Sequence, residues 1–281
     1  MIRVRLFQSA KSTLKILKRF SSNFTEQKIN VDGVDINYVK TGNGSKGILL
    51  MPGAIGSAWT DFTPQIEKLP KLLPDYTIIA WDPPGYGKSI PPKRQFDLNF
   101  YHKDAECATS LMKILGYSNF SVLGWSDGGI TAMIMAGTDR RLLDNMVIWG
   151  AGPYINEKEV KVLEDMRDVS TWSARMREPM EKLYGPERFR EIWSEWVDAA
   201  IMFYDKRNGN YCKGELEKIV TPTLILHGVK DPMIAEEHIP YIRRRILGCR
   251  YYSFPQGKHN IHLRYADEFN KVVANFLLQK Y

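Results

Sequence analysis

Phe120-Ser121-Val122-Leu123-Gly124-Trp125-Ser126-Asp127-Gly128-Gly129-Ile130-Thr131-Ala132 carries the clearest fold signal in the chain. Phe120–Leu123 has the length and composition of a buried strand, and Asp127–Ala136 reads as a helix. Between them, Gly124-Trp125-Ser126-Asp127-Gly128 fits the pattern G-x-S-x-G. In a chain with 21 glycines that pattern alone is weak. Its setting makes it specific. A strand runs directly into it and a helix leaves directly from it, so the serine stands at the apex of a sharp turn with its hydroxyl exposed at the sheet's edge. The flanking glycines allow the close packing such a turn needs. The competing reading is a glycine-rich turn with an idle serine.

Outward from this turn, Gly47–Met51, Tyr76–Trp81, Met146–Trp149, Leu224–His227 and Tyr251–Phe254 read as short strands. Residues 27–40 read as a hairpin turning at Val31-Asp32-Gly33-Val34. Helices are expected over Asp61–Lys68, from an Asn99 cap to Leu115 with Gly116 closing it, over Ala235–Ile246, and over Leu263–Gln279. Strands that alternate with helices at short spacing indicate an α/β fold, a mostly parallel central sheet with helices on both faces. The alternation stops at residues 153–212, which carry helical patterns only: Glu157–Arg167, Thr171–Tyr184 and Pro186–Phe203. This block reads as a helical cap inserted into a core made of residues 26–152 and 213–281. Trp172, Tyr184, Trp193 and Trp196 within it are expected to roof a pocket, more as packing than as ligand contacts.

A serine hydroxyl is a poor nucleophile until a base takes its proton. Five histidines are available. His102 precedes the serine in an expected helix, His227 ends a strand, and His238 falls in a charged helical run. His259 lies in the loop Pro255-Gln256-Gly257-Lys258-His259 after the last strand, where α/β sheets place their chemistry, and His262 follows it. His259 is the preferred base and His262 the alternative. The orienting acid should also follow a strand. Asp231 lies four residues past Leu224–His227, before a proline that disfavours helix. The order Ser126, Asp231, His259 suits this fold. The oxyanion of acyl transfer needs backbone donors. The N–H of Asp127 is one, and the loop Pro52–Ser57 should supply the other, from Ala54 first or Ile55 second. The Asp127 side chain reads equally as a helix-capping acid or as a binding group for a cation beside the nucleophile.

The 281 residues, 44% of them hydrophobic, suffice for one large core. No apolar run approaches the roughly eighteen residues of a membrane span. The net charge of +7 is local. Arg3, Arg5, Lys11, Lys15, Lys18 and Arg19 precede the first acid, Glu26, and without these six of the 39 basic residues, 33 face 32 acids. No basic stripe is interleaved with aromatics, so nucleic acid is not an expected partner. The basic, acid-free, serine-containing segment 1–25 has the character of a mitochondrial transit peptide, which implies a matrix location. Cys107, Cys212 and Cys249 are too few and scattered for a disulfide framework, and no zinc-ligand spacing occurs. Neither a metal nor another cofactor is expected, and the partner anticipated is a small ester bound by a monomer.

The elbow GWSDG (Gly124–Gly128), the loop DPPGYGKS (Asp82–Ser89), the segment RDVSTWS (Arg167–Ser173), LILHGVKDP (Leu224–Pro232) and GKHNIHLRYADEFN (Gly257–Asn270) together resemble the valacyclovir hydrolase family, also called biphenyl hydrolase-like proteins. The resemblance covers nearly everything after the N-terminal segment. It implies a capped α/β-hydrolase, located in mitochondria, that cleaves esters of α-amino acids, with thiolactones as a further candidate substrate. It also implies Ser126, Asp231 and His259 as triad, and Asp127 as the group that binds the substrate's α-amino function. Pro84 departs from the family, which usually has arginine there, so a charged contact in that loop is in doubt. A general carboxylesterase or C–C bond hydrolase acting on uncharged substrates is the alternative activity.

Overall fold

The computed structural model describes residues 24–279. The expected transit segment, residues 1–25, falls almost entirely outside that range. The first strand, β1 (Phe24–Val31), begins two residues inside it, and Phe24 and Thr25 pair with Thr41 and Lys40 of β2 (Val34–Thr41). Asp32 and Gly33 join the two strands with positive φ angles of 51° and 89°. Turns of that hand match the twist of a tight hairpin.

One sheet of eight strands organises the chain, in the order β1-β2-β4-β3-β5-β6-β7-β8. β3 (Lys46–Met51), β4 (Tyr76–Trp81), β5 (Phe120–Trp125), β6 (Leu143–Trp149), β7 (Thr223–Gly228) and β8 (Arg250–Phe254) are parallel, and the hairpin is added antiparallel along β4. Parallel strands covered on both faces bury every residue. β4 and β7 do so throughout their lengths. Side-chain alternation sends neighbours to opposite cores. Leu49, Ile79, Val122 and Ile148 pack with α2 (Phe100–Ile114) and α3 (Asp127–Thr138). Ile48, Ile78, Leu123 and Val147 pack with α1 (Ala58–Leu72) and the C-terminal helix.

α1 is longer than the expected Asp61–Lys68. Ser57 and Thr60 form a reciprocal capping box at its start, and it continues past Pro64 and Pro70 with a kink at Phe62. The expected end at Lys68 falls just before Pro70, which the sequence pattern reads as a stop, whereas Pro64 lies inside the helix in expectation and structure alike. Asn99 does not cap α2 with its side chain, which instead accepts from Arg207 Nη2 at 3.0 Å.

Between β6 and β7 the chain forms α4 (Glu157–Asp165), α5 (Ala174–Tyr184) and the long α6 (Pro186–Arg207). Trp172 and Ser173 are extended, so α5 starts three residues later than expected. The helix expected from Ala235 is α7 (His238–Arg245), and the one expected from Leu263 is split into α8 (Ile261–Arg264) and α9 (Ala266–Leu277) by the non-helical Tyr265.

Candidate active site

The turn between β5 and α3 holds Ser126 at φ 54° and ψ −119°. A residue with a side chain reaches that region only when its surroundings dictate it. Here they are tight. A Cβ at Gly124 would lie 2.4 Å from the carbonyl oxygen of Gly128, and one at Gly128 would lie 2.1 Å from that of Met51. The serine's own N–H is held by the carbonyl of Trp149 at 3.0 Å, and Gly129 and Ile130 donate to its carbonyl. The elbow is therefore fixed at the carboxyl end of the sheet's central strand.

His259 and Asp231 come from the two loops beyond β8 and β7. His259 Nδ1 and Asp231 Oδ2 are 2.9 Å apart. With a carboxylate on Nδ1, the proton sits on that nitrogen and Nε2 is left as the basic lone pair. Burial pushes the Asp231 carboxyl up, but the charge and hydrogen bond of His259 and the N–H of Met233 outweigh it and leave the pKa below the usual range. The indole of Trp125, next to the serine, donates to the carbonyl of His259 at 3.0 Å and ties this loop to the elbow. Ser126 and His259 line the same pocket.

His262 is excluded as the base. It is fully buried, accepts from the Trp149 indole through Nδ1 at 2.9 Å, and packs among Trp125, Trp149 and Phe62. Burial drives its pKa down to about 3, so it stays neutral and structural. His238, expected in a charged run, is instead buried at the start of α7 and bonded to Glu159 of α4 at 2.8 Å.

Asp127 is the first residue of α3, so its N–H has no intrahelical partner. Its side chain does not cap the helix. The Tyr101 hydroxyl donates to Oδ1 at 2.9 Å and the Trp196 indole to Oδ2 at 2.8 Å. Burial raises this carboxyl to about pH 6, against those two bonds and the more distant Arg94 charge. It lines the cavity together with Tyr101, Trp196, Tyr211, Ile155 and Met233, a wall that is largely apolar. The sequence places Trp196 in the roof of a pocket and Tyr101 on a helix face, and neither placement reveals the bond each makes to Asp127.

The loop after β3 passes beside the serine. A Cβ at Gly53 would stand 3.3 Å from Cβ of Ser126. Gly53 N–H donates to Asp61 Oδ2 at 3.0 Å and Gly56 N–H to Gly53 O at 3.1 Å. The N–H groups of Ala54 and Ile55 are the ones these bonds leave over. Neither residue is part of the cavity lining. Burial lifts the Asp61 carboxyl to about 7. The adjoining loop Asp82–Ser89 is held by Asp82, whose carboxylate accepts from Ala58 N, Lys88 N and Asn37 Nδ2. Pro84 presents its carbonyl to Arg94 Nη1 at 3.0 Å, so an arginine reaches this loop from a different position. Arg94 also pairs with the buried Asp104 at 2.6 Å.

Of the four cap aromatics, Trp196 lines the cavity. Trp172 and Trp193 pack edge to face at 4.7 Å and both donate to Met166 O. Tyr184 reaches down to Ile55. Among the described residues, no group of three or more His, Cys, Asp or Glu side chains could hold a metal ion, and no helix is long and apolar enough to cross a membrane.

A parallel sheet that lifts a serine at the end of its central strand, under an inserted helical layer, is the architecture of α/β-hydrolases that act through serine. Comparison with known proteins agrees. Residues 47–182 match the family described as alpha/beta hydrolase fold. The chain is 45% identical to human "Serine hydrolase BPHL" over 92% of its own length and 88% of that protein. It is 22% identical to a 2-hydroxy-6-oxo-6-(2'-aminophenyl)hexa-2,4-dienoic acid hydrolase of Metapseudomonas resinovorans, covering 95% of each. Among solved structures, 2-hydroxy-6-oxo-6-phenylhexa-2,4-dienoate hydrolase from Rhodococcus sp. strain RHA1 superposes with a TM-score of 0.75 at 14% identity, over 90% of this chain and 98% of that one. The chain belongs to the serine hydrolase BPHL family of α/β-hydrolases, the group also called valacyclovir hydrolases or biphenyl hydrolase-like proteins.

Proposed function

We propose that this serine hydrolase cleaves esters of α-amino acids through an acyl-enzyme, with Ser126 as nucleophile, His259 as base and Asp231 as the acid that orients it. His259 Nε2 takes the Ser126 proton as Oγ attacks the ester carbonyl. The oxyanion forms against the N–H of Asp127 and a second donor from Ala54 or Ile55. His259 returns the proton to the departing alcohol, leaving the acyl group on Oγ. Water then repeats the attack with His259 as base, releasing the amino acid and restoring the serine.

One observation carries the substrate class. Asp127, adjacent to the nucleophile and buried, has two neutral hydrogen-bond donors among the described residues, and the Arg94 charge acts on it only from further off. An uncompensated carboxylate there would oppose the forming oxyanion. An ammonium on the substrate's α-carbon would remove that conflict, since unit charges about 4 Å apart interact by roughly 4 kcal/mol at an effective dielectric of about 20. The apolar wall is suited to aliphatic acyl side chains. The alternative, a general carboxylesterase or C–C bond hydrolase for uncharged substrates, is less well supported, because such a substrate brings no cation to balance the Asp127 carboxylate beside the forming oxyanion. The basic N-terminal segment supports a mitochondrial matrix location for the activity. Turnover of an L-valine ester set against its N-acetyl derivative tests the substrate class. The free amine should be favoured about 100-fold in kcat/KM, in keeping with part of that charge interaction surviving desolvation. Equal turnover of the two would dismiss the amino-acid preference.

A further inference from the structure

From its place between three segments, we infer that Tyr184 is a positioning residue that makes oxyanion stabilisation depend on a seated cap. This rests on the reading of the loop after β3 as the second oxyanion donor. Tyr184 is the last residue of α5 in the cap. Its hydroxyl donates to the carbonyl oxygen of Ile55 at 2.8 Å and accepts from the N–H of Gly87 at 2.9 Å. One phenol thus joins the cap, the loop beside Ser126 and the loop that follows β4.

The residue it grips is under conformational strain. Ile55 has φ +53°, a left-handed conformation, and its side chain is buried. A β-branched residue takes that conformation only when its surroundings impose it. The rest of the loop is secured by other means: Gly53 by Asp61, Gly56 by Gly53, and Ser57 by Thr60. At Ile55 the hydrogen bond comes from the cap. With the cap lifted, the bond to Tyr184 is lost, Ile55 relaxes, and the N–H groups of Ala54 and Ile55 turn away from the oxyanion position. The serine is then exposed to water without a complete site, and full activity returns only when the cap closes over substrate. Because the contact acts on the transition state rather than on the acyl pocket, its removal should lower kcat and leave KM alone.

The test uses the full chain with Tyr184→Phe, which keeps the ring and removes the hydroxyl. An L-valine ester gives kcat and KM, and an α-aminoboronic acid reports on binding of the tetrahedral state. The expected result is a kcat lowered about 10- to 100-fold, less than outright loss of an oxyanion donor would cost. KM should stay within twofold, and boronate affinity should weaken in step with kcat. Ile55→Gly in the Tyr184→Phe background should recover part of the lost kcat, because glycine adopts the left-handed region without the hydroxyl's help. A role in cap packing alone would not be rescued at position 55. Unchanged kcat and boronate affinity in Tyr184→Phe, or a rise in KM alone, would overturn the inference. Ser126→Ala measured alongside separates the two levels. If it stays active, the catalytic reading fails. If it is dead while Tyr184→Phe is fully active, only this inference fails.

Discussion

Ser126 has two unlike neighbours. On the side of β7 and β8, Asp231 and His259 form a titratable pair, with the acid held below its usual range and the imidazole facing the cavity. On the side of α2 and the cap, Asp127 is held by a phenol and an indole, and burial raises it to about 6. In the proposed mechanism the first arrangement moves a proton whatever the ester is. The second moves none and offers, above about pH 6, a charge at a fixed place. The contrast separates how the bond is cut from which bond is chosen, and it states what each side should cost when disturbed.

The largest expected effect lies on the proton-moving side. Asp231→Asn should lower kcat by roughly 10³ to 10⁴, since the wrong tautomer of His259 would face the serine. The loss should be the same for aminoacyl and N-acetylated esters. A loss confined to one class, seen by steady-state kinetics on both, would merge the two roles that the structure keeps apart.

A smaller effect should appear with pH on the charge-bearing side. The ratio of kcat/KM for a free-amine ester to that for its N-acetyl form cancels the titration of the shared machinery. Asp127 has its pKa raised to about 6, so its charge is present above that pH and lost below it. The ratio should therefore fall by up to about tenfold per pH unit below 6. It should also fall above about 8, where the substrate's α-amino group loses its proton. A ratio that is flat between pH 5 and 7 would mean that Asp127 does not meet the amine.

The placement of Ser126, Asp231 and His259 at strand ends was legible in the sequence and the surroundings of Asp127 much less so, for a physical reason. Ser126, Asp231 and His259 each follow a strand whose apolar run and turn residues mark where it ends, and α/β sheets put chemistry at those ends. The partners of Asp127 carry no such local mark. Tyr101 and Trp196 lie 26 and 69 positions away, on helices whose apolar faces account for aromatic residues equally well without any functional contact. Glu159 with His238 and Tyr184 with Ile55 are similar, 79 and 129 positions apart. Helix edges differ from expectation where a proline or a non-helical residue intervenes, as at Pro70 in α1 and at Tyr265 before α9. His259 and His262 differ by one turn of chain. The Asp231 bond made by His259, and the burial of His262 among Trp125, Trp149 and Phe62, separate the proposed base from the packing residue.

Asp127→Asn isolates the role of this charge, because the amide retains the size of the carboxylate and loses its charge. The measurement is kcat/KM for an L-valine ester and for its N-acetyl derivative on wild type and variant. The account predicts about a 100-fold drop for the free amine, with the acetylated ester changed by less than about threefold, in line with loss of a single partly desolvated charge contact. Equal losses on both esters would show that Asp127 supports the site as a whole and does not select its substrate.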